Sequence, residues 1–137
     1  MHIAILYLSA CLIFLFLDAL MLTFVMRPLF EKHLGDLMLT ELRLLPAAAF
    51  YLGYIAGLSY LVSWPALRAG APASAILPAA IIGAMAYGTY EFTSYTIMKV
   101  WHPSLVIVDV AWGTVVTAIV AAGSVWITRA LLGQPPV

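Results

Sequence analysis

Charge is scarce in this sequence. Asp, Glu, Lys and Arg make up 9% of its 137 residues, with six acids against six bases and a formal net charge of zero. That balance excludes a nucleic-acid-binding surface and an acidic tail. Cysteine occurs once, at Cys11, which rules out an intrachain disulfide or a zinc cluster built on cysteines and leaves a small packing residue in a leucine-rich run. Also missing are a glycine-rich phosphate loop, a nucleophile elbow and a metalloprotease motif. No catalytic residues can be assigned, whether the chain is an enzyme stays open, and no cofactor or metal is expected.

What fills the space is hydrocarbon. Hydrophobic residues reach 65% and the mean hydropathy is +1.08, far outside the balance of a soluble globular domain. The composition predicts an integral membrane protein, partnered first by the lipid bilayer. Its length suits a single domain over residues 1–137, an all-α bundle of four transmembrane helices. The expected spans cover about residues 3–26, 46–62, 76–98 and 103–131. The opening "MHIAILYLSACLIFLFLDALMLTFVM" lacks a basic leader and a small-x-small cleavage site, so it is expected to be the first span rather than a signal peptide.

Proline and loop composition set the expected ends. Arg27-Pro28 is expected to stop the first helix and "SWP" at Ser63–Pro65 the second, while Pro103 suits the first turn of the fourth. The connection "RPLFEKHLGDLMLTELRLL" mixes apolar and charged residues as an interfacial helix does; an extension of the second helix kinked at Pro46 fits equally. Arg27, Lys32, Arg43 and Lys99 fall on one side and Arg68 and Arg129 on the other. The basic bias makes the first side cytoplasmic and both termini periplasmic or outside. Small residues recur every fourth position at Ala49, Gly53 and Gly57 and at Ala80, Ala84 and Gly88. Such stripes are expected as close-packing seams within the bundle or in a homodimer.

Against this background the acids stand out. Asp18, Glu91 and Asp109 all fall inside expected spans, where an ionised carboxylate costs at least about 2.5 to 3.5 kcal/mol on insertion scales. Each must face the protein interior, find partners or take a proton. Asp18 lies nine residues before Arg27, Glu91 eight before Lys99 and Asp109 six after Pro103. At the helical rise these spacings put all three about 9 to 13 Å inside the same membrane boundary. Around Glu91, helical periodicity gathers Tyr87, Gly88, Ser94, Tyr95 and Met98 on one face, with Tyr90 and Thr93 at its edges. Around Asp109 it gathers Trp112, Gly113, Thr117 and Ser124. Carboxyls beside phenol, indole and hydroxyl groups are equipment for binding a cation, exchanging a proton or acting as general acid and base. A hydrogen-bond network that only fixes helix order is the competing reading.

Lys99, Trp101 and His102 occupy the turn between the third and fourth helices, where Trp and Lys are expected as interfacial anchors and His102 as a relay between water and the acids. His2 is expected at the opposite face, and His33 lies in the long connection.

The stretch "AYGTYEFTSYTIMKVWHPSLVIVDVAWGT" resembles the hallmark of a bacterial family of predicted membrane proteins catalogued as domain of unknown function 2177. In that hallmark a Tyr-Asp-Leu-Thr-Asn-like run leads through Trp-Pro to Asp-x-x-Trp-Gly. Its specific part here pairs Tyr90, Glu91 and Thr93 with Asp109, Trp112 and Gly113. The sequence departs from the pattern where Glu91 replaces Asp, Ser94 replaces Asn and His102 separates Trp101 from Pro103. The resemblance implies a four-helix protein of the bacterial inner membrane and supplies no activity. From the residues, the leading expectation is a site that binds or moves a small cationic or amphiphilic ligand on Glu91 and Asp109. A lipid-modifying membrane enzyme and a stabilising subunit of a larger membrane complex are the alternatives.

Overall fold

The computed structural model describes residues 1–136 and contains four long apolar helices: α1 (His2–Leu37), α2 (Leu44–Arg68), α3 (Pro72–Ile97) and α4 (Pro103–Leu132). Each is long and apolar enough to cross a membrane, and no strand occurs among the described residues. The expected all-α four-helix transmembrane bundle is the observed fold. Helices are the natural solution in lipid, because every backbone donor and acceptor is satisfied within its own segment.

Two expected helix ends are corrected. The first helix runs through Arg27-Pro28 to Leu34, followed by a tight turn over Gly35–Leu37; the second runs through Pro65 to Arg68. Both prolines are admitted by the same local device, a π-helical turn immediately before them, at Leu22–Met26 and at Ser59–Ser63. A proline lacks an amide donor and its ring collides with the carbonyl four residues back, here that of Phe24 or Leu61. A wider turn moves that carbonyl aside, so the chain stays helical. What ends α1 is Gly35, whose φ of 50° lies where a side chain is strained. The connecting segment is therefore not one interfacial helix: its first half extends α1, and α2 begins at Leu44 with Pro46 in its first turn.

α3 and α4 form the most extensive pairing, joined by the tight turn Met98–His102, and α1 packs against α4. The backbones of α3 and α4 approach closely at Gly83 and Gly113. A Cβ at Gly83 would run into the Gly113 carbonyl oxygen and the Thr117 side chain, and one at Gly113 into the ring of Tyr87. Lacking a hydrophobic effect to drive them together, helices in lipid gain most from such close contact. The buried line on α3 is thus Ala79, Gly83 and Glu91 with Tyr87 half-buried, one residue before the Ala80, Ala84 and Gly88 stripe. On α2, Gly53 and Gly57 are exposed with no atom near a Cβ built on them, and Ala49 is exposed too. That stripe forms no seam within the chain.

α2 packs through its second half, where Ile55, Leu58, Val62, Ala66 and Leu67 are buried, while residues 41–50 are exposed throughout. Tyr54 Oη pairs with Thr117 Oγ1 at 2.9 Å, and Tyr7 Oη donates to the Leu52 carbonyl at 3.1 Å. Tyr51 packs on Phe14, and from Leu44 to Phe50 α2 is exposed. At one end of the molecule Arg129 Nη1 donates to the Gly70 carbonyl at 2.8 Å. At the other, Phe30 of α1 packs on Trp101 with ring centroids 5.8 Å apart.

Gly83→Leu should destabilise the bundle by about 1–3 kcal/mol or more through overpacking, whereas Gly53→Ala should leave thermal unfolding in detergent unchanged or slightly raised. Equal melting of the two variants would contradict the α3–α4 contact.

Candidate functional site

The three intramembrane acids converge. Asp18 is 6% exposed, Asp109 9% and Glu91 0%, although they come from three different helices. Trp112 Nε1 donates to Asp18 Oδ1 at 3.1 Å, tying α4 to α1. Trp101 Nε1 donates to Glu91 Oε2 at 2.7 Å, tying the turn to α3. Asp109 is buried on α4, which packs along α3, and Glu91 Oε1 has no hydrogen-bond partner among the described residues. Two indoles therefore serve two carboxyl groups, and a third carboxyl stands between. An indole is well suited to this place, since it offers one donor on an otherwise apolar body.

Beside the acids lies a cavity of about 670 Å³. α1 contributes Asp18, Leu22, Met26 and Phe30, and α2 contributes Phe50, Tyr51 and Tyr54. α3 adds Ala86, Tyr87, Thr89 and Tyr90, and α4 adds Asp109 and Trp112. The cavity lies where α2, exposed from Leu44 to Phe50, stands off the bundle while α3 remains on α4. Asp18, Asp109 and Met26 are buried at its floor, whereas Phe50, Thr89 and Tyr90 are exposed at its mouth. The exposed rim is thus formed by Phe50 of α2 and Thr89 and Tyr90 of α3. No Lys, Arg or His lines the wall, so its only formal charges are carboxylates.

Not every expected residue takes part. Tyr87, Tyr90, Trp112, Asp18 and Asp109 line the cavity. Glu91 stands behind it, held by Trp101. Ser94 is buried on the Glu91 side without lining the cavity, while Thr93 and Tyr95 point outward and are exposed. The outward turn of Tyr95 follows from the true inward line of α3, which passes through Glu91 and Ser94. Gly113 provides the space for the Tyr87 ring.

His102 is exposed and caps α4: its Nδ1 accepts from the Ser104 amide at 3.2 Å, and Ser104 Oγ lies 2.8 Å from the same atom. Because α1 continues past Pro28, His33 comes to stack on His102 with centroids 4.2 Å apart and rings 9° from parallel. His33 Nε2 also approaches Ser104 Oγ at 3.3 Å. The histidines join α1 to the start of α4 and make no hydrogen bond to the acids.

Sequence reasoning missed the α2 wall and the work of Trp101. Phe50, Tyr51 and Tyr54 follow an i, i+1, i+4 pattern in "FYLGY", a signal of one aromatic helix face. Phe50 and Tyr54 stack at 6.0 Å, and Phe14 backs Tyr51 at 5.1 Å. Trp101 anchors Glu91 and packs edge-on to Tyr90, with centroids 5.6 Å apart.

The family described as Predicted membrane protein (DUF2177) matches residues 3–126. The chain belongs to that family. Those residues include all four helices apart from the last turns of α4, and with them every acid and aromatic of the site. No curated protein and no solved structure matches this DUF2177 chain.

Trp101→Phe in the DUF2177 chain removes the indole donor to Glu91 and should lower stability by about 1–3 kcal/mol, the penalty of leaving a buried acceptor unsatisfied. Tyr95→Phe, at an outward position, should unfold with the wild type. A Trp101→Phe variant as stable as wild type would show that the indole does not hold Glu91.

Proposed function

We propose that this membrane protein binds small organic cations or cationic amphiphiles in the lateral cavity, with Asp109 and Asp18 as counter-charges and the surrounding rings as the wall. The observation that carries the reading is the composition of the lining. Seven aromatic residues and two carboxylates enclose one space, without a basic side chain among them. An aromatic face attracts a cation through its quadrupole, most strongly where water is excluded. A carboxylate in the same low-dielectric space adds a direct charge interaction. Together they favour a ligand that is apolar over most of its surface and positive at one point.

Size and access support the same class. The volume falls within the range of ordinary small-molecule pockets. A mouth between α2 and α3 suits a ligand arriving from the bilayer, where an amphiphilic cation concentrates with its charge near the headgroups. An anion would meet two carboxylates and no donor of positive charge. Movement of the ligand across the membrane is a further step within this reading. The uneven packing of α2, exposed from Leu44 to Phe50 and packed on the bundle from Tyr51 onward, supports such a movement at its start.

Tetraphenylphosphonium and tetraphenylborate, matched in shape and opposite in charge, test the reading on the full-length protein in nanodiscs. Binding followed by quenching of tryptophan fluorescence should be saturable for the cation and absent for the anion. Asp109→Asn should weaken the cation roughly tenfold or more, the scale of an ion pair losing one member. Equal binding of both ions, or an unaltered affinity in Asp109→Asn, would contradict the proposal.

A further inference from the structure

The hydrogen-bonding groups of the cavity wall divide into those already used within the protein and those left over for a ligand. The Trp112 indole has one N–H, and it is spent on Asp18 Oδ1 at 3.1 Å. The Thr89 hydroxyl donates to the Met85 carbonyl of its own helix at 2.7 Å. Tyr54 Oη is paired with Thr117 Oγ1 at 2.9 Å. The one side-chain N–H of the wall and two of its hydroxyls are thus engaged, and helical backbone donors bond within their own segments.

What is left over accepts. An ionised carboxylate is acceptor-only, with about four lone-pair sites, and the indole fills one of those on Asp18. Asp109 lines the same space with a second carboxyl group. Tyr87 lines it too, and its Oη is buried without a hydrogen-bond partner among the described residues. A phenol oxygen accepts as readily as it donates, and an unpartnered one sheltered from water costs free energy until something pairs with it. The Tyr87 ring fits here because position 113 is glycine, where a Cβ would collide with it.

We infer that the cavity selects a cation carrying N–H groups, a protonated primary or secondary amine on an apolar body, over a quaternary cation of the same shape, with Tyr87 as a specificity-determining residue alongside Asp18 and Asp109. The inference rests on the cation-binding reading above and narrows its ligand class. The two kinds of head group make opposite demands. A quaternary head has no N–H to satisfy, and an aromatic cage alone suits it. A primary head gives up water from three N–H groups, a loss that rings alone do not repay. Here acceptors repay it: two carboxyl groups and one unpaired hydroxyl, in a wall whose own side-chain N–H is already committed. Bonds from an ammonium to a carboxylate are charge-assisted and stronger than neutral ones. Binding moves no proton and breaks no covalent bond, since the amine arrives protonated and stays so.

Dodecylammonium and dodecyltrimethylammonium, alike in chain and charge, separate the two cases. Each is titrated at neutral pH into the full-length protein in nanodiscs by calorimetry, with empty nanodiscs subtracted so that partition into lipid cancels. The wild type should bind the ammonium roughly tenfold more tightly, the scale of one charge-assisted hydrogen bond. Tyr87→Phe, which deletes an unpartnered hydroxyl, should fold and narrow that difference. Equal affinities, or tighter binding of the trimethylammonium, would overturn the inference and leave the cation site standing. No protein-dependent binding of either cation would overturn both. A difference unchanged in folded Tyr87→Phe would overturn the role given to Tyr87. If Tyr87→Phe does not fold, the wild-type comparison decides alone.

Discussion

A carboxylate inside the hydrocarbon of a membrane must be partnered, protonated or turned away from lipid, and much of this molecule is arranged around that constraint. Three acids on three helices meet it in three ways. Asp18 receives an indole donor from α4, Glu91 receives one from the α3–α4 turn, and Asp109 is buried against the cavity. Both indole bonds cross from one segment to another. Satisfying the acids therefore also fixes which helices are neighbours. The close approach of α3 and α4 at Gly83 and Gly113 sets Tyr87 beside Asp109 and completes the arrangement from the packing side.

A bundle organised only to hide its acids would have closed over them. Here α2 departs from the others at the depth of the acids and leaves an aromatic-walled space open to the side. The exposed side chains of Leu44, Leu45, Phe50 and Tyr90 are acceptable in lipid, where no hydrophobic penalty attaches to them. Openness there thus costs little in lipid, and Asp18 and Asp109 line the space it leaves. That combination is what the proposed cation site rests on.

The convergence of Asp18, Glu91 and Asp109 was legible in the sequence because helical rise converts distance from a boundary into depth. Their neighbours were less so. A residue repeated every fourth position on α3 defines two adjacent lines, Ala79–Gly83–Tyr87 and Ala80–Ala84–Gly88, and only the partner helix decides between them. The continuation of α1 past Pro28 depends on a π-helical turn whose sequence, "LTFVM", carries no distinctive mark. Without that continuation His33 belongs to a loop; with it, His33 stacks on His102 and Phe30 reaches Trp101. The α2 wall was hidden for another reason. Phe50, Tyr51 and Tyr54 sit on a helix that contributes no acid, and attention to charge passes over them.

On the proposed reading, Asp109 and Asp18 are carboxyl groups reached from the bilayer in a cavity that an organic cation fills. Reaction with a membrane-soluble carbodiimide, located by peptide mass analysis, tests it most directly, since such a reagent modifies protonated carboxyls sheltered from water. The account predicts modification of Asp109 or Asp18, weak modification by a water-soluble carbodiimide, and protection by tetraphenylphosphonium. Failure of the membrane-soluble reagent to modify either residue, or modification that the cation leaves unchanged, would contradict it.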